Sequence, residues 1–222
     1  MATPATAQIG LGGGGGAGAQ RGPQRTQPAA NSSALEEWGR ELRETDPVRR
    51  LDAVKALSTQ KDEQAIEYLI EATADEDLRV RLKAIDCLGN ARASAATPVL
   101  VQSLYLAETE SLMKRRVLVA LGKIGDSRAA KPIGDYLAQD HDIPLVGTAV
   151  FALGEIGAET SLGDLQKLTS DSKDDRIVQL AKEAIDKINL RKINPEVQIR
   201  ALRNDEDDVR PATASAAPPL AY

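Results

Sequence analysis

"ALGKIGD", Ala120–Asp126, returns almost unchanged as "ALGEIGA", Ala152–Ala158. A group that performs chemistry is needed once; a unit that packs against its own copies is needed many times. The leucine of this motif has counterparts along the chain at Leu57, Leu88, Leu121, Leu153 and Ile185, spaced by 31, 33, 32 and 32 residues. Neighbouring columns agree. One reads Ala53, Ala84, Val117, Ala149, Ala181; the next Ala56, Cys87, Ala120, Ala152, Ala184; a third Gln60, Ala91, Ile124, Ile156, Ile188. Within each unit these positions are i, i+3, i+4 and i+7, which is one face of an α-helix. Alanine columns let helices approach closely, and leucine or isoleucine columns supply buried area.

A second apolar segment follows each of the first four such helices: "EQAIEYLIEAT", "ATPVLVQSLYLA", "AAKPIGDYLA" and "SLGDLQKL". Each unit is therefore a helix pair, A then B. One pair cannot bury its own apolar face, so neighbours must stack. The expectation is an all-α chain, an α-solenoid built as a superhelix of stacked antiparallel helix pairs. Four pairs are preceded by a lead-in helix, "SALEEWGREL", with Ser33 and Glu36 at capping-box spacing and Leu35, Trp38 and Leu42 covering the end of the stack. A charged fifth A helix at about 176–188 closes the other end. Gly125 and Gly157 fit the left-handed position that ends a helix, whereas Gly122 and Gly154 fall earlier and fit close helix contact. Asp46-Pro47 opens the first A helix, and Asp62, Asp126 and Asp142 are expected caps.

Composition frames this core. The chain has 222 residues, with one Trp, one Phe and four Tyr, so small and aliphatic side chains must fill the interior. A net charge of −5 with interspersed signs argues against a dedicated nucleic-acid binder. One cysteine, Cys87, excludes an internal disulfide framework. No run approaches the ~18–20 apolar residues of a membrane span. Residues 1–31, with the run Gly12–Gly16, read as a disordered Gly/Pro/Gln-rich tail, 32–193 as the repeat domain, and 194–222 as a charged then Pro/Ala-rich disordered tail. No basic and apolar leader opens the sequence, so a cytoplasmic protein is expected. Ala5-Thr6-Ala7 before Gln8 has the pattern of a signal-peptidase site, so export follows if Met1 stands in place of a removed leader.

The bricks resemble the short HEAT-like repeats of the phycobilisome-lyase type. The residues that carry the resemblance are Ala120–Asp126, Ala152–Ala158 and the preceding starts Asp46–Arg49 and Asp77–Arg79. It covers about two thirds of the chain and implies an α-solenoid with A helices outside and B helices lining a concave surface. Most such arrays are binding scaffolds; some help attach bilin chromophores, and one branch is an iron-dependent hydroxylase. That branch uses repeated His-Glu pairs, and this chain has a single His and no such pair.

Other candidates reduce to structure. "DHD" at Asp140–Asp142 lacks a second His or a thiolate cluster to complete a metal sphere. Cys87 falls in an alanine column and reads as core. Gly10-x-Gly12-x-x-Gly15 follows no strand and opens no helix, and Asn31-Ser32-Ser33 is a sequon that matters only after export. Arg49, Arg50, Arg79, Arg81, Lys83, Lys114, Arg115 and Arg116 face Asp75, Glu76, Asp77, Glu108 and Glu110 in adjoining loops, which suggests ion pairs between repeats rather than phosphate contacts.

"PVLVQSLYL", Pro98–Leu106, is more apolar than its sister B helices. Leu100 and Val101 stand where other units carry Gly134 and Asp135 or Gln166 and Lys167. The expected function is a non-enzymatic scaffold or adaptor that binds a protein partner in the concave groove, with no cofactor, no metal, no nucleic acid and no membrane span. Leu100, Val101 and Tyr105 are the expected apolar anchors, with Tyr68, Glu71, Lys131, Asp135 and Tyr136 tuning the flanks. The alternatives are a bilin-lyase-like accessory factor, which rests on the resemblance, and an exported envelope-associated repeat protein.

Overall fold

A computed structural model of the chain describes residues 28–106, 109–139 and 142–193. The Gly-rich segment with its Gly10–Gly15 fingerprint, Glu108, Asp140, His141 and residues 194–222 lie outside the described residues. Within them the chain is all helical: α1 (Pro28–Glu41), α2 (Pro47–Leu57), α3 (Glu63–Ala72), α4 (Leu78–Asn90), α5 (Thr97–Tyr105), α6 (Ser111–Ile124), α7 (Ala130–Leu137), α8 (Ile143–Ile156), α9 (Leu162–Asp171) and α10 (Asp175–Ile193). A short 3-10 turn leads into each of α5, α7 and α9, at Ser94–Ala96, Ser127–Ala129 and Glu159–Ser161. The A helices are α2, α4, α6, α8 and α10, and the B helices are α3, α5, α7 and α9. Successive A helices pack on one another, and each packs on the helix that precedes it in the chain, which makes a two-layer stack.

The side-chain columns account for this order. Leu57, Leu88, Leu121 and Leu153 are fully buried, as are Ala53, Ala84, Val117, Ala149 and Ala181. Each buried leucine contributes about 1.5–3 kcal/mol. At the ends the columns relax: Ile185 is half-buried, while Gln60 and Ala91 sit where later units bury Ile124, Ile156 and Ile188. The A helices nearly touch along a diagonal of small residues. A Cβ added at Gly89 would lie 2.9 Å from the Ala120 Cα; at Gly122, 3.1 Å from the Ala152 Cα; at Gly154, 3.2 Å from the Ala184 Cα. The same joint is used three times. In the first unit Ser58 replaces the glycine, and Cys87 replaces the alanine that faces it.

Helix ends are set by side-chain caps. Asp46, Asp62, Asp77 and Asp142 accept backbone N–H groups at the starts of α2, α3, α4 and α8. Asp126 caps the 3-10 turn that leads into α7 rather than the α-helix itself, because that turn takes up the first orphan donors. Gly125 and Gly157 end α6 and α8 with φ of 72° and 74°, where a side chain would strain the backbone. The lead-in helix departs from expectation. It begins at Pro28, so Ser33 lies inside it and does not cap it. Leu35 and Leu42 are nonetheless buried, with Trp38 packed on the same core.

Cross-repeat ion pairs follow the expected logic in part. Arg50 is buried, forms a bidentate pair with Asp75 at 2.8 and 2.9 Å, and also bonds the Glu44 and Thr45 carbonyls. Arg81 repeats that carbonyl clasp on Asp75 and Glu76. Arg79, by contrast, turns back on its own cap Asp77, and Arg116 reaches Asp86 on the previous A helix at 2.8 Å.

Candidate functional site

The B layer holds the expected site, and the structure divides it. The stripe of α5 that faces the core is Thr97, Leu100 and Leu104. Leu100 is fully buried and Tyr136 is 1 % exposed, so neither meets a partner as placed. This corrects the reading of "PVLVQSLYL": the leucine that looked surplus follows the three-and-four spacing of its own helix inward. Val101 beside it is half-buried against the core, and Tyr105 is 43 % exposed.

Tyr105, Lys131, Asp135 and Tyr136 do come together. The Tyr105 phenol donates to the Pro132 carbonyl at 2.5 Å, and its ring stands edge-on to Tyr136, with centroids 6.0 Å apart. Lys131 pairs with Asp135 one turn along at 2.9 Å. Burial, and then the Asp135 charge, raise the Tyr105 pKa. Tyr105 is thus a clamp between α5 and α7. Tyr68 and Glu71 form a separate group on α3: the Tyr68 ring lies over Gly39 of α1, and Glu71 accepts from Arg43 at 3.4 Å. Each B-layer tyrosine spans a gap between neighbouring helices.

On the other side of α5 lies a pocket of about 340 Å³, floored by Val99, Leu106 and Met113. Arg81 and Glu110 are the charged groups among its lining residues, and the Arg81 guanidinium is engaged with backbone carbonyls. Its lining is mixed, with Thr73, Gln102, Ser103 and Thr109 beside the apolar side chains. Burial pushes the Cys87 thiol pKa up, against an opposing hydrogen bond with Ser58, which makes it a poor nucleophile. Among the described residues no cluster of His, Cys, Asp and Glu is arranged to hold a metal ion, and no helix is long and apolar enough to cross a membrane.

The A layer presents a face that the sequence reading passed over. On each A helix one stripe, spaced by four, three and four residues, turns to solvent beside the buried columns. On α2 it is Val48, Asp52 and Lys55, with Val48 54 % exposed; on α4 it is Arg79, Lys83, Asp86 and Asn90, all polar. On α6 it is Leu112, Arg116, Val119 and Lys123; on α8, Pro144, Thr148, Phe151 and Glu155; on α10, Arg176, Leu180, Glu183 and Lys187. Phe151 is 49 % exposed, Leu112 39 % and Leu180 36 %, with Val119 half-buried. Gly147 opens the space beside Leu180: a Cβ there would stand 3.5 Å from the Leu180 Cδ1. Polar pairs tie the rim across repeats, with Lys123 donating to Asn90 at 2.8 Å and Lys187 to Glu155. The available signal was the solitary Phe of the chain, set in a row where the other units carry Lys55, Asp86, Val119 and Glu183.

Comparison with known proteins gives one consistent match in architecture. The family model described as HEAT repeats matches residues 35–112 and 105–186. Among solved structures the chain is similar to the complex of CpcE and CpcF of phycocyanin lyase from Nostoc sp. PCC7120. That match has TM-score 0.57 and 21 % identity, over 83 % of this chain and 73 % of that one. It is also similar to human deoxyhypusine hydroxylase in complex with glycerol, with TM-score 0.54 and 20 % identity, over 72 % of this chain and 65 % of that one. At these identities the likeness is one of fold. A search of curated proteins found no match.

Proposed function

This chain belongs to the HEAT-repeat family, and from that premise we propose that it is a non-enzymatic scaffold that docks a protein partner on the outer face of its A helices. The observation that carries the reading is the interruption of a polar surface by Leu112, Val119, Phe151 and Leu180 on three successive A helices. Exposed apolar side chains set on one face among polar neighbours are a mark of a protein-binding surface. Phe151 is the central anchor, since a half-exposed aromatic ring buries a large area on contact. The B-layer group of Val101, Tyr105, Lys131 and Asp135 is the competing surface; Tyr105 is already committed to the Pro132 carbonyl. The bilin-handling alternative draws on the likeness to phycocyanin lyase, which is a likeness of fold.

The test is affinity recovery of partners by the full chain from extracts of its native cells. Phe151→Asp is compared with Val101→Asp and Tyr105→Ala, and each variant is checked for unchanged helical circular dichroism. Phe151→Asp should reduce recovery by about tenfold or more, the scale of a lost hot spot. Undiminished recovery with Phe151→Asp, together with loss in the Val101 and Tyr105 variants, would return the site to the B layer.

A further inference from the structure

The apolar patch lies in an uneven field. Helix α6, on one side of Phe151, carries Lys114, Arg115, Arg116 and Lys123 and no acidic residue. Arg116 is balanced by Asp86 on α4, but Lys123 donates to the neutral amide oxygen of Asn90, so that bond leaves its charge uncompensated. Arg115 is exposed and holds on α6 the place that Gly147 holds on α8, the edge turned toward the next A helix. On α8 itself Glu155 is drawn off by Lys187 and Arg191 of α10. On the far side, α10 presents Glu183 beside Leu180. A chain with net charge −5 thus sets cationic side chains among the apolar residues of α6, whereas on α10 Arg176 and Lys187 are paired with Asp174 and Glu155, and Glu183 lies beside Leu180.

We infer that the partner segment recognised on this face is an acidic peptide whose Asp/Glu run lies over α6 and whose adjoining large apolar side chain covers Phe151. This rests on the A-face reading above and adds the chemistry of the occupant. The asymmetry sets direction: acidic residues on the α10 side of the anchor would meet Glu183, so the run belongs on one side of the apolar residue. Attraction to α6 speeds encounter and weakens with salt, while the apolar contact sets how long the complex lasts.

The probe is a short fluorescein-labelled synthetic peptide with a run of glutamates next to a Leu-Trp pair, titrated into the full chain by fluorescence anisotropy. One control peptide replaces glutamate with lysine, and another replaces the Leu-Trp pair with serines. The glutamate peptide should bind and both controls should fail. Phe151→Asp and the pair Arg115→Glu/Lys123→Glu should each weaken binding by about tenfold or more. Lys123→Gln, a milder change, should weaken it less and keep the fold intact. Equal binding of the lysine peptide would overturn the inference, as would indifference to the α6 substitutions. Binding that appears only when residues 194–222 are removed would assign the face to the chain's own acidic run Asp205–Asp208 and overturn the assignment to a partner. If Phe151→Asp abolishes partner recovery from extracts while the α6 variants and the peptide show nothing, the docking face stands and its acidic ligand falls.

Discussion

Arg92 has a φ of 51°, at the position where the next two units place Gly125 and Gly157. A left-handed L-residue costs roughly 1–2 kcal/mol, and glycine returns part of that gain as entropy lost on folding. Arg92→Gly should therefore raise stability by about 0.5–1 kcal/mol, read as a higher denaturant midpoint at unchanged slope. A lower midpoint would mean that the contacts of the arginine side chain outweigh its backbone strain. The glycines of "ALGKIGD" and "ALGEIGA" were legible as helix stops because few residues tolerate that conformation. Arg92 was not legible, since an arginine in sequence carries no sign of a positive φ. Phe151 was legible in principle. It stands two residues before Leu153, in the column of Lys55, Asp86, Val119 and Glu183, which is a solvent-side column, and its 49 % exposure follows from that place.

At the scale of elements, three Asp-x-Arg starts share one device. Asp77, Asp126 and Asp174 each accept the backbone N–H two residues on and pair with the guanidinium of that same residue, Arg79, Arg128 or Arg176. The guanidinium hydrogen bond is the main cause that lowers all three carboxyl pKa values, Asp77 from 3.8 to about 2. A depressed folded pKa adds stability that is complete above the unfolded value and is lost as pH falls through the folded one. Stability should hold from neutrality down to about pH 4 and then decline toward pH 2. Replacing all three by Asn should flatten that decline in urea titrations at successive pH values; an unchanged acid slope would remove the caps as its source. The starts at Asp77 and Asp126 were visible in sequence because an N-cap acid must sit next to the first turn; Asp174 was passed over there. The start of α1 was not visible, because the residues before Ser33 carry no apolar period to mark a helix. The facing of α5 was missed through register. Its 3-10 lead-in matches those of α7 and α9, which pairs Leu100 with Ile133 and Leu165, all fully buried, so the comparison with Gly134 and Gln166 was one residue out of line.

At the scale of the molecule, each pair is held by its neighbours, so protection should fall from the middle outward. Helices α6 and α8 are packed on both sides in the A layer, and their stripes run without interruption through Ile124 and Ile156. Unit one has Gln60 and Ser58 in the corresponding places, and α10 leaves Ile185 half-buried. Native-state hydrogen exchange should therefore be slowest in α6 and α8 and faster in α2 and toward the end of α10. Uniform protection from α2 to α10 would mean that the stack opens as one block.

The three Gly-to-Ala joints have a bearing on how such a chain changes length. Because α4 meets α6 as α6 meets α8 and α8 meets α10, the segment from one helix stop to the next has the same fitting at both edges. Copying the stretch between Gly125 and Gly157 would hand the following helix a surface it already matches. Growth or shrinkage by whole units thus needs no new interior, whereas gain or loss of a few residues would turn every later stripe out of line.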